Sequence, residues 1–178
     1  MSEFPPELLV AATGIRLAAF DVDGVLTNGQ LFLGPQGEEY KVFDVRDGQG
    51  LVMLRDSGMA IAVITGRRSP VVAARMAELG IEYVYQGQRD KLAALAELEA
   101  KLGITAAAVC YAGDDLPDVP VLRRVGLPVT VADGHPACVA AARYRTRAAG
   151  GRGAVREICE LLMTAGGSLA AQYARYGI

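Results

Sequence analysis

The sequence predicts an α/β fold: a Rossmann-like three-layer sandwich with a central parallel sheet, an inserted β-hairpin and no cap domain. Three observations predict it. Short continuous apolar runs alternate with longer stretches of helical pattern, as strands buried on both faces of a parallel sheet require. Three of the runs end at polar residues: Asp21, Thr65 and the Gly113-Asp114 pair. One segment, 28–43, breaks the alternation around a Gly34-Pro35-Gln36-Gly37 turn signal.

The elements follow in order. Strands are expected at 17–20, 60–64, 82–85, 107–111 and 129–132. Helices are expected at 48–56, 69–79, 91–102, 119–125 and 136–142. In the hairpin, Leu31, Phe32 and Leu33 face Tyr40, Val42 and Phe43 across the turn, so apolar side chains would lie on both faces. A Gly150-Gly151-Arg152-Gly153 run precedes an amphipathic helix at 154–163, and a polar tail follows. No repeat or long linker divides the chain, so one domain is expected over 1–178, with 28–43 as a hairpin and 150–178 as a C-terminal helix and tail.

Composition narrows the function. The 178 residues are 52% hydrophobic with a net charge of −2 and no block of one sign, which leaves nucleic-acid binding without support. Cys110, Cys138 and Cys159 are scattered and fit neither a disulfide framework nor a zinc site. No apolar run approaches the ~18 residues of a membrane span. The start, MSEFPPELL, lacks the charged-then-apolar pattern of a signal peptide. A cytoplasmic protein with no membrane partner is expected.

Ligands of an open parallel sheet bind beyond the carboxyl ends of its strands. There Asp21, Asp23, Thr65, Asp114 and Asp115 can converge. Each motif has an ordinary reading: Asp23-Gly24 as a turn, the 113–118 aspartates as helix caps, Thr65 as a strand-end cap, Lys91 as a solvated lysine. Together they supply what transfer from a phosphate monoester needs: a nucleophile, a proton donor, ligands for a hard cation and donors for the transition-state charge. A carboxylate can be the nucleophile, forming an acyl phosphate. The single histidine, His135, and the isolated cysteines offer no rival set.

In this order, Phe20-Asp21-Val22-Asp23-Gly24-Val25, Ile64-Thr65-Gly66-Arg67, Lys91 and Gly113-Asp114-Asp115-Leu116-Pro117-Asp118 resemble the four motifs of the haloacid dehalogenase superfamily. Val45-Arg46-Asp47-Gly48, Tyr85-Gln86-Gly87-Gln88, Val131-Ala132-Asp133-Gly134-His135-Pro136 and the segment 150–157 extend the resemblance to its capless sugar-acid phosphatases. The resemblance implies magnesium-dependent hydrolysis of 3-deoxy-D-manno-octulosonate 8-phosphate, in lipopolysaccharide core biosynthesis, through an aspartyl phosphate. It implies Asp21 as nucleophile, Asp23 as general acid and then base, and Thr65 and Lys91 as holders of the phosphoryl group. Magnesium would be held by the carboxylates of Asp21 and Asp114 and the main-chain carbonyl of Asp23. Asp115 or Asp118 would steer the metal shell or Lys91. Arg46, Asp47, Gly48, Arg67 and Arg75 would meet the sugar acid. The eight-residue spacing of Arg67 and Arg75 would put both on one helix face, and the resemblance places the pair on the neighbouring subunit, reaching into the site opposite. The same resemblance implies a homotetramer built on the hairpins, with active sites at subunit interfaces.

The chain departs from the pattern at Val52, where many members carry a basic residue, at Val119, where many carry an aromatic, and in the tail after Met163. Two rival functions share the fold. One is a phosphatase for a 9-phosphorylated nine-carbon 2-keto sugar acid. The other is an inactive oligomerisation module, which would carry a degraded site.

Overall fold

The computed structural model describes residues 4–178; the first three residues of the expected domain lie outside the described residues. The chain opens with a helix, α1 (Pro6–Thr13), started by a proline at its first turn. The first strand, β1 (Leu17–Phe20), is buried along its whole length. The hairpin follows as β2 (Phe32–Leu33) and β3 (Glu39–Tyr40), which pair Phe32 with Tyr40 and Leu33 with Glu39. Then come α2 (Val45–Asp56), β4 (Ala60–Thr65), α3 (Pro70–Glu78), β5 (Tyr83–Gln86) and α4 (Lys91–Leu102). The second half holds β6 (Val109–Ala112), α5 (Val119–Leu122), β7 (Leu127–Thr130), α6 (Pro136–Ala141), β8 (Tyr144–Arg145), α7 (Ala154–Ala165) and α8 (Leu169–Ala174).

Six strands form one parallel sheet in the order β5-β4-β1-β6-β7-β8. Alternate residues of each strand face opposite helix layers, as the two-residue period dictates. Ala18, Phe20, Ile61 and Val63 pack with α1, α2, α3 and α7. Leu17, Ala19, Ala62 and Ile64 pack with α4, α5 and α6. The chain leaves β1 toward β4 and returns past it to β6, so the strand order reverses there and opens a crevice at the carboxyl ends.

The structure corrects several boundaries. The expected 129–132 strand lies at Leu127–Thr130, with Pro128 inside it, a residue that argues against a strand from sequence. The expected helix 119–125 stops at Leu122. Helix α2 starts three residues early because the Asp44 side chain caps it, accepting from the Arg46 N–H. Strand β8 and helix α1 were not expected, and the C-terminal tail contains α8. Among the described residues no helix is long and apolar enough to cross a membrane.

Candidate active site

Strand β1 delivers Asp21 to the crevice, and its N–H still bonds to the Ala112 carbonyl at 2.9 Å. The chain then turns at Gly24, whose φ of +94° suits glycine. A Cβ there would lie 2.0 Å from the Asp114 carboxylate, so glycine also admits that side chain. Thr65 ends β4 and is buried. Lys91 is the first residue of α4, whose cap is the Asp90 side chain, accepting from the N–H groups of Leu92 and Ala93. Asp114, Asp115 and Asp118 follow β6, where Pro117 opens a 3-10 turn at Leu116–Asp118.

These side chains converge. A cleft of about 580 Å³ is lined by Asp21, Asp23, Thr65, Lys91, Asp114, Asp115 and Asp118, together with Arg67, Gln88 and Arg89. Lys91 Nζ lies 2.9 Å from Asp21 Oδ1 and 2.7 Å from Asp118 Oδ1. Asp118 is fully buried and saturated. Its Oδ1 also accepts from the Tyr111 hydroxyl at 2.6 Å, and its Oδ2 accepts from the N–H groups of Asp114 and Asp115 at 3.0 and 3.2 Å. Asp118 therefore aims Lys91 at Asp21 and braces the 113–118 turn.

Charge is crowded here. Burial pushes the Asp21 carboxyl up to about 6; Lys91 opposes this and Asp118 adds to it. Burial, with repulsion from Asp21, Asp118 and Asp115, pushes Asp114 up to about 7. Burial alone would pull Lys91 down, but Asp21 and Asp118 outweigh it and hold the ammonium above its ordinary value.

Oxygens of Asp21, Asp114 and Asp118 lie within 4.8 Å of one another. Since Asp118 is saturated, Asp21 and Asp114 are left to take a ligand. Asp114 Oδ1 is buried with no hydrogen-bond partner, and Asp21 Oδ1 has an ion pair with Lys91 but no well-aligned hydrogen bond. Crowded hard oxygens without donors are what magnesium accepts.

The residues expected at the sugar are divided. Arg67 lines the cleft. Arg46 lies outside that lining, paired with Asp44 at 2.7 Å. Asp47 is buried in α2 and accepts from the N–H groups of Gly153 and Arg156 at 3.2 and 2.8 Å, so it caps α7. Arg75 is bound to Glu78 at 2.8 Å and passes so close to Gly48 that a Cβ there would meet its guanidinium at 2.3 Å. Arg67 and Arg75 do not share a helix face: α3 starts only at Pro70, and Arg67 sits in the loop before it.

Three side chains at this site were not read from the sequence: Arg89, which lines the cleft, and Tyr111 and Lys41, which hold its carboxylates. Tyr111 carries no local signal, because its hydroxyl partner comes from a different turn of chain. The Lys41 side chain is fully buried and ion-paired to Asp23 and Glu39. Its signal was available: Glu39 and Lys41 are charges two apart that alternate with the apolar Tyr40 and Val42.

The model of haloacid dehalogenase-like hydrolases matches residues 78–158. The 3-deoxy-D-manno-octulosonate 8-phosphate phosphatase KdsC of Escherichia coli K12 is 50% identical over 163 residues, which cover 92% of this chain and 87% of that protein. The crystal structure of the Moraxella catarrhalis enzyme of the same name, in complex with magnesium, phosphate and KDO, superimposes with a TM-score of 0.94 at 44% identity. That match covers 97% of this chain and 99% of the other. The Yersinia pestis enzyme gives a TM-score of 0.91 at 48% identity, over 93% of this chain and 89% of the other. The chain belongs to the 3-deoxy-D-manno-octulosonate 8-phosphate phosphatases, within the haloacid dehalogenase-like hydrolases.

Proposed function

We propose that this chain is a magnesium-dependent phosphomonoesterase that hydrolyses 3-deoxy-D-manno-octulosonate 8-phosphate to the free sugar acid and phosphate. The observation that carries this reading is the placement of Asp21 at the end of β1, ion-paired to Lys91 and crowded by Asp114, in a cleft that Asp23 and Thr65 also line. Asp21 attacks phosphorus, and the bond from phosphorus to the sugar oxygen breaks. That oxygen takes its proton from Asp23. Water then attacks the acyl phosphate and gives a proton to Asp23, which releases phosphate and restores Asp21. Lys91 and Thr65 hold the phosphoryl oxygens through both steps. Asp21, Asp114 and the Asp23 carbonyl would hold magnesium, which supplies positive charge to the phosphate oxygens and keeps the carboxylates ionised.

The sugar acid carries a carboxylate remote from phosphorus, and planar bidentate recognition of it favours arginine. Arg67, at the cleft, is the reader from this subunit. Arg75 and Arg46, outside the lining, would serve a neighbouring subunit's site in a homotetramer. The exposed apolar side chains of the hairpin, Phe32, Leu33, Tyr40 and Val42, support that assembly. Three free, buried cysteines fit a reducing compartment, and we assign the reaction to the cytoplasm and to lipopolysaccharide core synthesis.

Phosphate release measured across sugar phosphates with magnesium tests the reading. The eight-carbon acid is expected to give the highest kcat/KM, and a higher value for the nine-carbon 9-phosphate would transfer the assignment to that substrate.

A further inference from the structure

The general acid assigned above sits on a loop, and something must aim it. Among the described residues, the only hydrogen bond or ion pair to the Asp23 side chain comes from Lys41, whose own side chain has no exposed surface. Lys41 is not part of any of the four motifs. It comes from the returning leg of the hairpin, 18 residues further along the chain.

The leg is built to present it. Strand alternation turns Glu39 and Lys41 inward, while Tyr40 and Val42 stand 64% and 58% exposed on the opposite side. Two residues past Lys41, Phe43 pairs antiparallel with Thr27, which closes the Asp23 loop. The leg is therefore anchored to the same loop whose carboxylate it holds. Glu39 Oε1 lies 3.3 Å from Lys41 Nζ. Burial pushes the Glu39 carboxyl up, but Ser69, Lys41 and Arg67 together hold it below its ordinary value, so it remains an anion. Lys41 thus lies between two carboxylates, one on the hairpin and one on the catalytic loop.

A buried ammonium is costly unless paired, and an apolar side chain would fill the same space at no such cost. A charge at this position does what an apolar residue cannot. It fixes Oδ1 of Asp23, a residue that lines the cleft, and leaves Oδ2 without a hydrogen bond among the described residues. We propose that Lys41 is a positioning residue for Asp23, and that Glu39 in turn fixes Lys41. This rests on the phosphatase reading and on the acid–base role of Asp23 within it.

Leaving-group dependence separates this from a merely structural role. A sugar alkoxide needs a proton as it departs, whereas p-nitrophenolate leaves unaided. kcat/KM reports the steps through phosphoryl transfer to Asp21. Lys41→Met is expected to lower kcat/KM about 10²-fold on the sugar-acid phosphate, through kcat and not KM, and less than about threefold on p-nitrophenyl phosphate. Lys41→Arg should restore most of the loss. Glu39→Gln, which keeps the fold under less strain, should show the same bias between substrates at smaller amplitude. Equal losses on both substrates, or none, in either Lys41→Met or Glu39→Gln would overturn the proposal. Should Lys41→Met fail to fold, Glu39→Gln alone decides. Asp21→Asn and Asp23→Asn are measured alongside. Turnover retained in Asp21→Asn, or an absence of leaving-group bias in Asp23→Asn, overturns the phosphatase reading itself, and the Lys41 proposal with it.

Discussion

Asp21 and Asp114 are raised to about 6 and about 7 by burial first and by neighbouring carboxylates after it. The sign of the consequence is fixed. A carboxyl whose folded value lies above its unfolded value favours the fold while it is protonated. That contribution is complete below about pH 4 and is lost as pH rises through 6 and 7. The metal-free protein should therefore lose stability over that window, while magnesium, which needs ionised ligands, should restore it. We expect the melting temperature gained on adding magnesium, relative to chelator, to be larger at pH 8 than at pH 5.5. At a magnesium concentration ~100 times Kd the gain is ~2.7 kcal/mol, or roughly 5–10 °C for a chain of this size. A magnesium increment that does not change with pH would contradict this. Asp114→Asn removes a repelling charge along with a ligand. At pH 8 and without metal it should melt higher than the wild type, yet show no magnesium increment. Differential scanning fluorimetry with and without chelator reads both effects. Asp118 is the opposite case. Its carboxylate is saturated by Lys91, Tyr111 and two N–H groups, so Asp118→Ala leaves a buried ammonium short of a partner. A loss of ~3–5 kcal/mol is expected by chemical denaturation.

Helix α7 shows what the sequence makes legible at the scale of an element and what it does not. Its amphipathic pattern was plain, and the helix stands where expected, two residues longer. Its cap was not plain. The residue at the cap position is Gly153, which has no side chain to offer, and the acceptor is Asp47, 106 residues away in α2. Local pattern cannot report such a partner, and the expectation of Asp47-Gly48 at the sugar rests only on its place in a stretch resembling the family. The geometry leads to a prediction. Asp47→Ala exposes two buried N–H groups at the start of α7 and should cost ~1–3 kcal/mol, with a fall in melting temperature of about 2–12 °C. KM for the sugar-acid phosphate should change less than twofold in the protein that remains folded. A large rise in KM with an unchanged melting temperature would return Asp47 to the substrate. The catalytic strands were legible for the converse reason. Each of β1, β4 and β6 is a short continuous apolar run that stops at a polar residue, and stopping there is what places Asp21, Thr65 and Asp114 at the crevice. The very short β8 and the start of α2 at Asp44 depend on contacts and caps rather than on periodicity, and were not read.

The whole molecule leaves one feature unsatisfied within a single chain. The hairpin is a two-stranded ribbon with two paired residues per strand, too small to be stable by itself. Phe32 and Leu33 are 53% and 66% exposed, and Tyr40 and Val42 extend the apolar surface on the returning leg. Its inner face is nonetheless tied down by Lys41 and by the Thr27–Phe43 pair. A ribbon held firmly on one side and apolar on the other fits association with copies of itself, and a closed symmetric assembly removes every exposed edge at once. Charges placed on the outer face should prevent that assembly without touching the anchor. We expect the double variant Phe32→Asp, Val42→Asp, both on the outer face, to sediment as a monomer at micromolar concentration, with the wild type sedimenting as a tetramer. The monomer should keep its melting transition, because neither side chain belongs to the core. It should also keep turnover of p-nitrophenyl phosphate within a few fold, since Asp21, Asp23, Lys91 and Asp114 all come from one chain. Activity on the sugar-acid phosphate should fall at least tenfold through KM, equivalent to about 1.4 kcal/mol of binding, because a neighbour's arginines would no longer be present. Arg75→Ala in the tetramer should reproduce that loss on the sugar acid and spare the aryl ester. If the monomer retained full kcat/KM on the sugar acid, each subunit would read its substrate alone, and Arg67 would be the residue left to do it.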